Sequence, residues 1–176
     1  MAKFEVVSKY AEAGLTIPVR ATANSAGYDF EVAAETVVQP YPHQLAILKA
    51  TLGYETMDLS GIKEITKQFQ CKPTLVPTGI KCKMDEDEYL EISLRSSIPL
   101  KHWLILGNSI GIIDSDYYNN PDNEGEIFFQ VINLAPCPIM LHKGDKIGQG
   151  IIKKYITTED DEASGERAGG FGSTNV

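Results

Sequence analysis

The feature that most constrains this chain is its punctuation. Runs of four to eight residues rich in Val, Ile, Tyr and Phe alternate with Gly, Pro, Asn and Asp, which is the pattern of short strands closed by tight turns. Candidate strands fall at 4–8, 28–33, 35–39, 44–49, 75–83, 88–95, 103–106, 110–114, 126–134, 138–141 and 147–156. Within Tyr89-Leu90-Glu91-Ile92-Ser93-Leu94 the side chains alternate as they do in a half-buried strand. So many short strands at close spacing predict an all-β chain, a sandwich or jelly roll rather than an α/β sheet. One stretch breaks the pattern. In 58–70, Ile62, Ile65 and Phe69 recur at helical spacing, which predicts one short amphipathic helix with Ser60 as its cap. At 176 residues the chain suits one domain, 1–162, followed by a Gly-rich tail at 163–176.

Charge and cysteine content narrow the function. A formal net charge of −8 disfavours a polyanion such as nucleic acid as partner, so a phosphate ligand has to be held in a local pocket together with a cation. Cys71, Cys82 and Cys137 have no metal-ligand spacing, and their odd number suits a reduced, cytoplasmic protein. The N-terminal residues lack the apolar core of a signal peptide. No segment approaches the roughly 18–20 apolar residues of a membrane span.

Four groups of residues carry chemistry. Arg95-Ser96-Ser97 places a guanidinium, two hydroxyls and free backbone N–H groups at a strand end, a plausible phosphate grip. The Gly107–Gly111 stretch lies between two apolar runs and is expected to form a β-hairpin whose mouth exposes backbone groups. Asp114 and Asp116 follow it, and a carboxylate at a strand end can take a proton from water or attract a divalent metal. In the tail, Arg167, Ser173 and Thr174 suit phosphate oxygens, Phe171 suits a base, and the flanking glycines permit close approach.

Together these residues resemble the trimeric dUTPase family. Its five motifs occur in order: Ala26-Gly27-Tyr28-Asp29-Phe30, Arg95-Ser96-Ser97, Gly111 to Tyr117, Gly144-Asp145-Lys146-Ile147-Gly148-Gln149, and Arg167 to Thr174. The resemblance implies a jelly-roll-like distorted β-barrel, a homotrimer with sites at subunit boundaries, and Mg²⁺-dependent hydrolysis of dUTP to dUMP and pyrophosphate, which limits uracil in DNA and supplies dUMP for dTMP synthesis. It further implies that Asp114 orients the attacking water and that Tyr117 stacks on the deoxyribose and excludes a 2′-hydroxyl. Asn108 and the Gly111 to Ile113 backbone would read uracil, while Arg95, Ser96, Ser97 and Gln149 hold phosphates. Asp29 would position Mg²⁺ through water. Arg167, Phe171, Gly172, Ser173 and Thr174 would close over the nucleotide from the tail.

Three departures stand out: an insertion at 50–73, a second at 118–124, and Ser97 where the family usually has Gly. The two inserts are candidate surfaces for a regulatory protein partner. A related enzyme of the same fold, dCTP deaminase, shares Arg-Ser-Ser. Its general base is a Glu, and Gln130 aligns there in this chain; an amide cannot act as that base.

Overall fold

The computed structural model describes residues 1–52, 58–69, 72–165, 167, 169 and 170. Its order is β1 (Lys3–Val6), β2 (Val19–Arg20), β3 (Tyr28–Glu31), β4 (Thr36–Val38), α1 (Tyr41–Leu52), α2 (Leu59–Phe69), β5 (Thr74–Pro77), β6 (Ile80–Lys83), β7 (Glu88–Leu94), α3 (Ser97–His102), β8 (Leu104–Leu106), β9 (Gly111–Asp114), β10 (Phe128–Asn133), β11 (Ile139–Leu141) and β12 (Lys146–Lys154). The fold is all-β, as the punctuation predicts. The strands form a five-stranded sheet β2-β3-β12-β7-β9, a three-stranded sheet β5-β10-β8, and the pairs β1-β6 and β11-β4. Every pair of neighbouring strands is antiparallel.

One core joins these sheets. Phe30, Val76, Leu90, Leu104 and Phe129, from both of the larger sheets, are fully buried in a single apolar cluster. Strand β10 shows how the sequence encodes this. Phe129, Val131 and Asn133 are buried while Phe128, Gln130 and Ile132 are half-buried, the period of two expected of a strand with one face on the core. Burial of this kind pushes the Cys82 thiol up to about 12, which leaves it a packing group.

Three expectations need correction. The inserted helix at 59–69 is present, but it is not the only one. Residues 44–49, expected as a strand, lie inside α1. Leu45-Ala46-Ile47-Leu48 is a short apolar run, and such a run fits a strand or a buried helix equally well. The cap of α2 is Asp58 rather than Ser60: its carboxylate accepts from the Gly61 N–H at 2.8 Å and from the Ser60 hydroxyl at 2.8 Å. The segment 75–83 is not one strand but two. Gly79, at φ +65°, breaks it, and its N–H turns inward to the Glu126 carboxylate at 3.0 Å.

Candidate active site

The hairpin expected of strands β8 and β9 does not form. β8 pairs with β10, and β9 pairs with β7. The connection 107–110 therefore crosses from the three-stranded sheet to the five-stranded sheet, in a tight turn where Ser109 takes φ +64° and its N–H donates to Leu106 O at 3.1 Å. Beside the crossing lies a cavity of about 380 Å³, lined by residues of both sheets.

Of the expected site residues, Asn108, Gly111, Ile113, Asp114, Tyr117 and Arg167 line this one cavity. Gly111 is required there by close approach, because a Cβ would lie 2.6 Å from Ile92 Cγ1 on the adjoining strand. Asp114, at the end of β9, is exposed, whereas Tyr117 is 6% exposed. The Tyr117 phenol donates to the carbonyl of Glu126 at 3.3 Å and accepts from Asn123 Nδ2 at 2.7 Å. Burial raises its pKa, against the opposing hydrogen bond from Asn123.

The tail meets this cavity in its own chain. The Arg167 guanidinium pairs with Asp114, and its Nε donates to Asp116 at 2.6 Å. The same guanidinium lies 5.9 Å from the centre of the Tyr117 ring, and Gly170 completes the lining. Phe171, Gly172, Ser173 and Thr174 lie outside the described residues.

The remaining expected residues gather elsewhere. Asp29 on β3 sits opposite Gln149 on β12 in the strand register. Its carboxylate is 3.4 Å from Arg95 Nε and accepts from Lys146 Nζ at 3.1 Å. Arg95 follows β7, and its N–H donates to Ile147 O. Ser96 and Ser97 open the short helix α3. In the sequence Lys146 is only one member of a motif, and its pairing with Asp29 becomes visible once β3 and β12 lie side by side.

The two clusters stand at opposite ends of β7. Asp114 is in register with Tyr89 near the start of that strand, and Arg95 follows its last residue, Leu94. At ~3.3 Å per residue the separation is roughly 20 Å.

Sequence reasoning misses Gln130, Leu106 and Phe128 as cavity walls. It gives Gln130 weight only against deamination. The alternation along β10 is the signal that Phe128 and Gln130 share a face.

Comparison with known proteins decides the family. The dUTPase family profile matches residues 53–175. A deoxyuridine 5′-triphosphate nucleotidohydrolase from Lactococcus lactis subsp. lactis (strain IL1403) is 42% identical over 175 residues, covering 98% of this chain and 97% of the relative. The chain belongs to the dUTPase family. Its fold agrees: a dUTPase structure from Streptococcus mutans superposes with a TM-score of 0.68 at 34% identity, covering 89% of this dUTPase-family chain and 98% of that one. A dUTPase from phage phi11 of S. aureus, described as having a species-specific insert, shares the fold at a TM-score of 0.61 but only 15% identity, covering 94% of this chain and 97% of that one. Among the described residues of this dUTPase-family protein, no helix is long and apolar enough to cross a membrane.

Proposed function

We propose that the protein is a dUTP diphosphatase, cleaving dUTP between the α- and β-phosphates with water. The observation that carries this reading is the convergence of Asn108, Gly111 to Asp114 and Tyr117 on one cavity. Asn108 and the β9 backbone offer fixed donors and acceptors for a uracil edge, and cytosine would leave such groups unpaired, a strong basis for discrimination. The Tyr117 ring lies where the sugar follows. Asp114 is the carboxylate at the cavity mouth that takes the proton of the attacking water. Arg167 occupies Asp114 and has to move onto the triphosphate before that carboxylate can act.

Arg95, Ser96, Ser97 and Gln149 hold the phosphates, with Phe171, Gly172, Ser173 and Thr174 closing from the tail. Asp114 must reach a water at the α-phosphorus, yet Arg95 of the same chain is roughly 20 Å away along β7. This separation supports a site completed by another copy; that the copies form a homotrimer rests on the family resemblance. Among the described residues no cluster of three His, Cys, Asp or Glu groups exists, and Asp29 already faces two cations. Asp29 would then meet a Mg²⁺ brought in by the phosphates through water rather than directly, since Mg²⁺ sheds its waters reluctantly. Bound there, Mg²⁺ would offset the negative charge of the phosphates and the leaving pyrophosphate.

Pyrophosphate release from dUTP, dCTP, UTP and dTTP, measured side by side with and without a chelator, tests the reading. Turnover of dUTP far above the other three, lost on chelation, is the expected result. Equal turnover of dCTP, or release of ammonia from it, would overturn it.

A further inference from the structure

The seven residues 118–124 do more than lengthen a connection. The chain leaves Tyr117, makes a loop, and returns at Asn123 to Glu126 to the phenol end of the same tyrosine. The loop is closed by its own backbone: Asn120 N–H donates to Tyr117 O at 3.1 Å, Asn119 N–H to Glu124 O at 3.1 Å, and Glu124 N–H to Asn120 O at 2.7 Å. Gly125 takes φ +79°, and a Cβ there would lie 2.4 Å from Tyr117 O, so the return path admits only glycine.

The loop is also tied down from outside. The Glu124 carboxylate accepts from the Ser8 N–H at 3.2 Å and the Ser8 hydroxyl at 2.9 Å, and it faces Lys81 Nζ at 3.5 Å. Lys81 donates to Asn119 Oδ1 at 2.6 Å, and the Tyr118 hydroxyl donates to Glu5 at 2.5 Å. The frame that reaches Tyr117 is thus anchored to β1, to β6 and to the turn after β1.

Asn123 is the point of contact. Its Oδ1 accepts from the Gly125 N–H at 3.0 Å. An amide N–H can only donate, so the side-chain oxygen must face Gly125 and the NH₂ must face the phenol. Nδ2 donates to the Tyr117 oxygen at 2.7 Å, while the phenol hydrogen goes to Glu126 O. Two bonds from different directions fix the far end of the ring, and its near end is fixed by the backbone.

We propose that Asn123 is a positioning residue for sugar selection: it holds the Tyr117 ring at the height that leaves no room for a 2′-hydroxyl, which makes the 118–124 loop a specificity device. The proposal rests on the reading of Tyr117 as the surface under the sugar. An unheld ring tilts on its Cβ and opens space for the ribose hydroxyl, so the loss appears as a gain in UTP turnover rather than a fall in dUTP turnover.

The test is kcat/KM for dUTP and UTP in the full-length protein carrying Asn123→Ser, Tyr117→Phe or both, with Tyr117→Ala as control. Serine keeps an oxygen for the Gly125 N–H but is too short to reach the phenol. Asn123→Ser should lower the dUTP to UTP preference roughly tenfold, the scale of one lost hydrogen bond, mainly by raising kcat/KM for UTP. Tyr117→Phe should do the same from the other partner, and the double variant should be no worse than either single one. A merely structural asparagine would instead cost the same whether or not the phenol hydroxyl is present, and that result overturns the proposal. So does an unchanged preference in Asn123→Ser. If Asn123→Ser fails to fold, an unchanged preference in Tyr117→Phe alone overturns it. The control separates the two readings: an unmoved preference in Tyr117→Ala removes the tyrosine from sugar selection, whereas movement there and none in Asn123→Ser removes only the positioning.

Discussion

The two ends of β7 are built on different principles. Around Asp114 and Tyr117, strand register and close packing shape an open-mouthed cavity lined by polar and apolar groups of both larger sheets. Around Arg95, the groups are long, partly exposed and charged, and they balance one another: Asp29 stands between Arg95 and Lys146. The first end can select a ligand within one chain. The second supplies charge, and a flexible ion-pair set of this kind selects little by shape. On the proposed reading, specificity is preformed at the first end and catalysis waits for a second copy to bring in the other.

Removing the charge at either end should have the largest effects. Asp114→Asn should lower turnover by about 10²–10⁴-fold, the usual contribution of an aligned general base, while dUTP still binds. Arg95→Ala should weaken turnover as well, through loss of a phosphate contact. Mixing the two inactive variants after unfolding and refolding them together sharpens the comparison. If a site draws Asp114 and Arg95 from different copies, random mixing restores roughly a quarter of wild-type turnover. No recovery would mean that both residues serve one site from one chain, against the distance along β7.

At the selecting end the effects should be smaller and should concern preference. Tyr117→Ala empties the cavity wall proposed to lie under the sugar and should narrow the gap between dUTP and UTP, read as the ratio of their kcat/KM values. One methylene-sized change in such a pocket is worth about 10–200-fold, so the ratio should move by at least that order. A ratio that stays fixed would place sugar selection at the charged end instead.

Much of this was legible in the sequence. Strand ends fall at Gly, Pro and Asn because only a few residue types adopt turn geometry, and the motif residues are visible because each carries a distinctive polar group. What fails are statements about which distant segments meet. The apolar runs on either side of Gly107-Asn108-Ser109-Ile110 look like hairpin arms, but β8 and β9 each find a better partner in another strand. Tyr41–Leu52 is helical although Leu45 to Leu48 reads as a strand, since a continuous apolar run carries no period. The anchoring of the 118–124 loop is invisible in the sequence because its partners, Ser8 and Lys81, lie far away in the chain. Arg167 is expected on phosphate, and its pairing with Asp114 and Asp116 emerges only when the tail is placed.

The smallest expected effect compares two carboxylates. Asp29, at the charged end, is flanked by two cations, and Asp29→Asn leaves Arg95 and Lys146 facing each other without it. Glu126, behind the cavity, is 3% exposed, and its Oε1 accepts one N–H, from Gly79, at 3.0 Å. Burial raises its pKa above the ordinary glutamate value, more than the Gly79 N–H lowers it. A carboxyl whose pKa is raised by folding stabilises the native state while it is protonated. Its contribution is fully present below the unfolded value of about 4.3 and is lost as pH rises through the folded value above it. Glutamine keeps the acceptor for Gly79 and never ionises, so Glu126→Gln should be the more stable protein at neutral pH. The gain is read as a higher Tm, each 1 kcal/mol being worth roughly 2–4 °C for a chain of this size. The difference should close as pH falls below about 4. Thermal melts of the two proteins from acid to neutral pH read this directly. A Tm difference that is flat across the range, or a wild type that is the more stable at neutral pH, would show that folding does not disfavour the ionised form of Glu126, and the contrast between the two ends would then lie in shape alone.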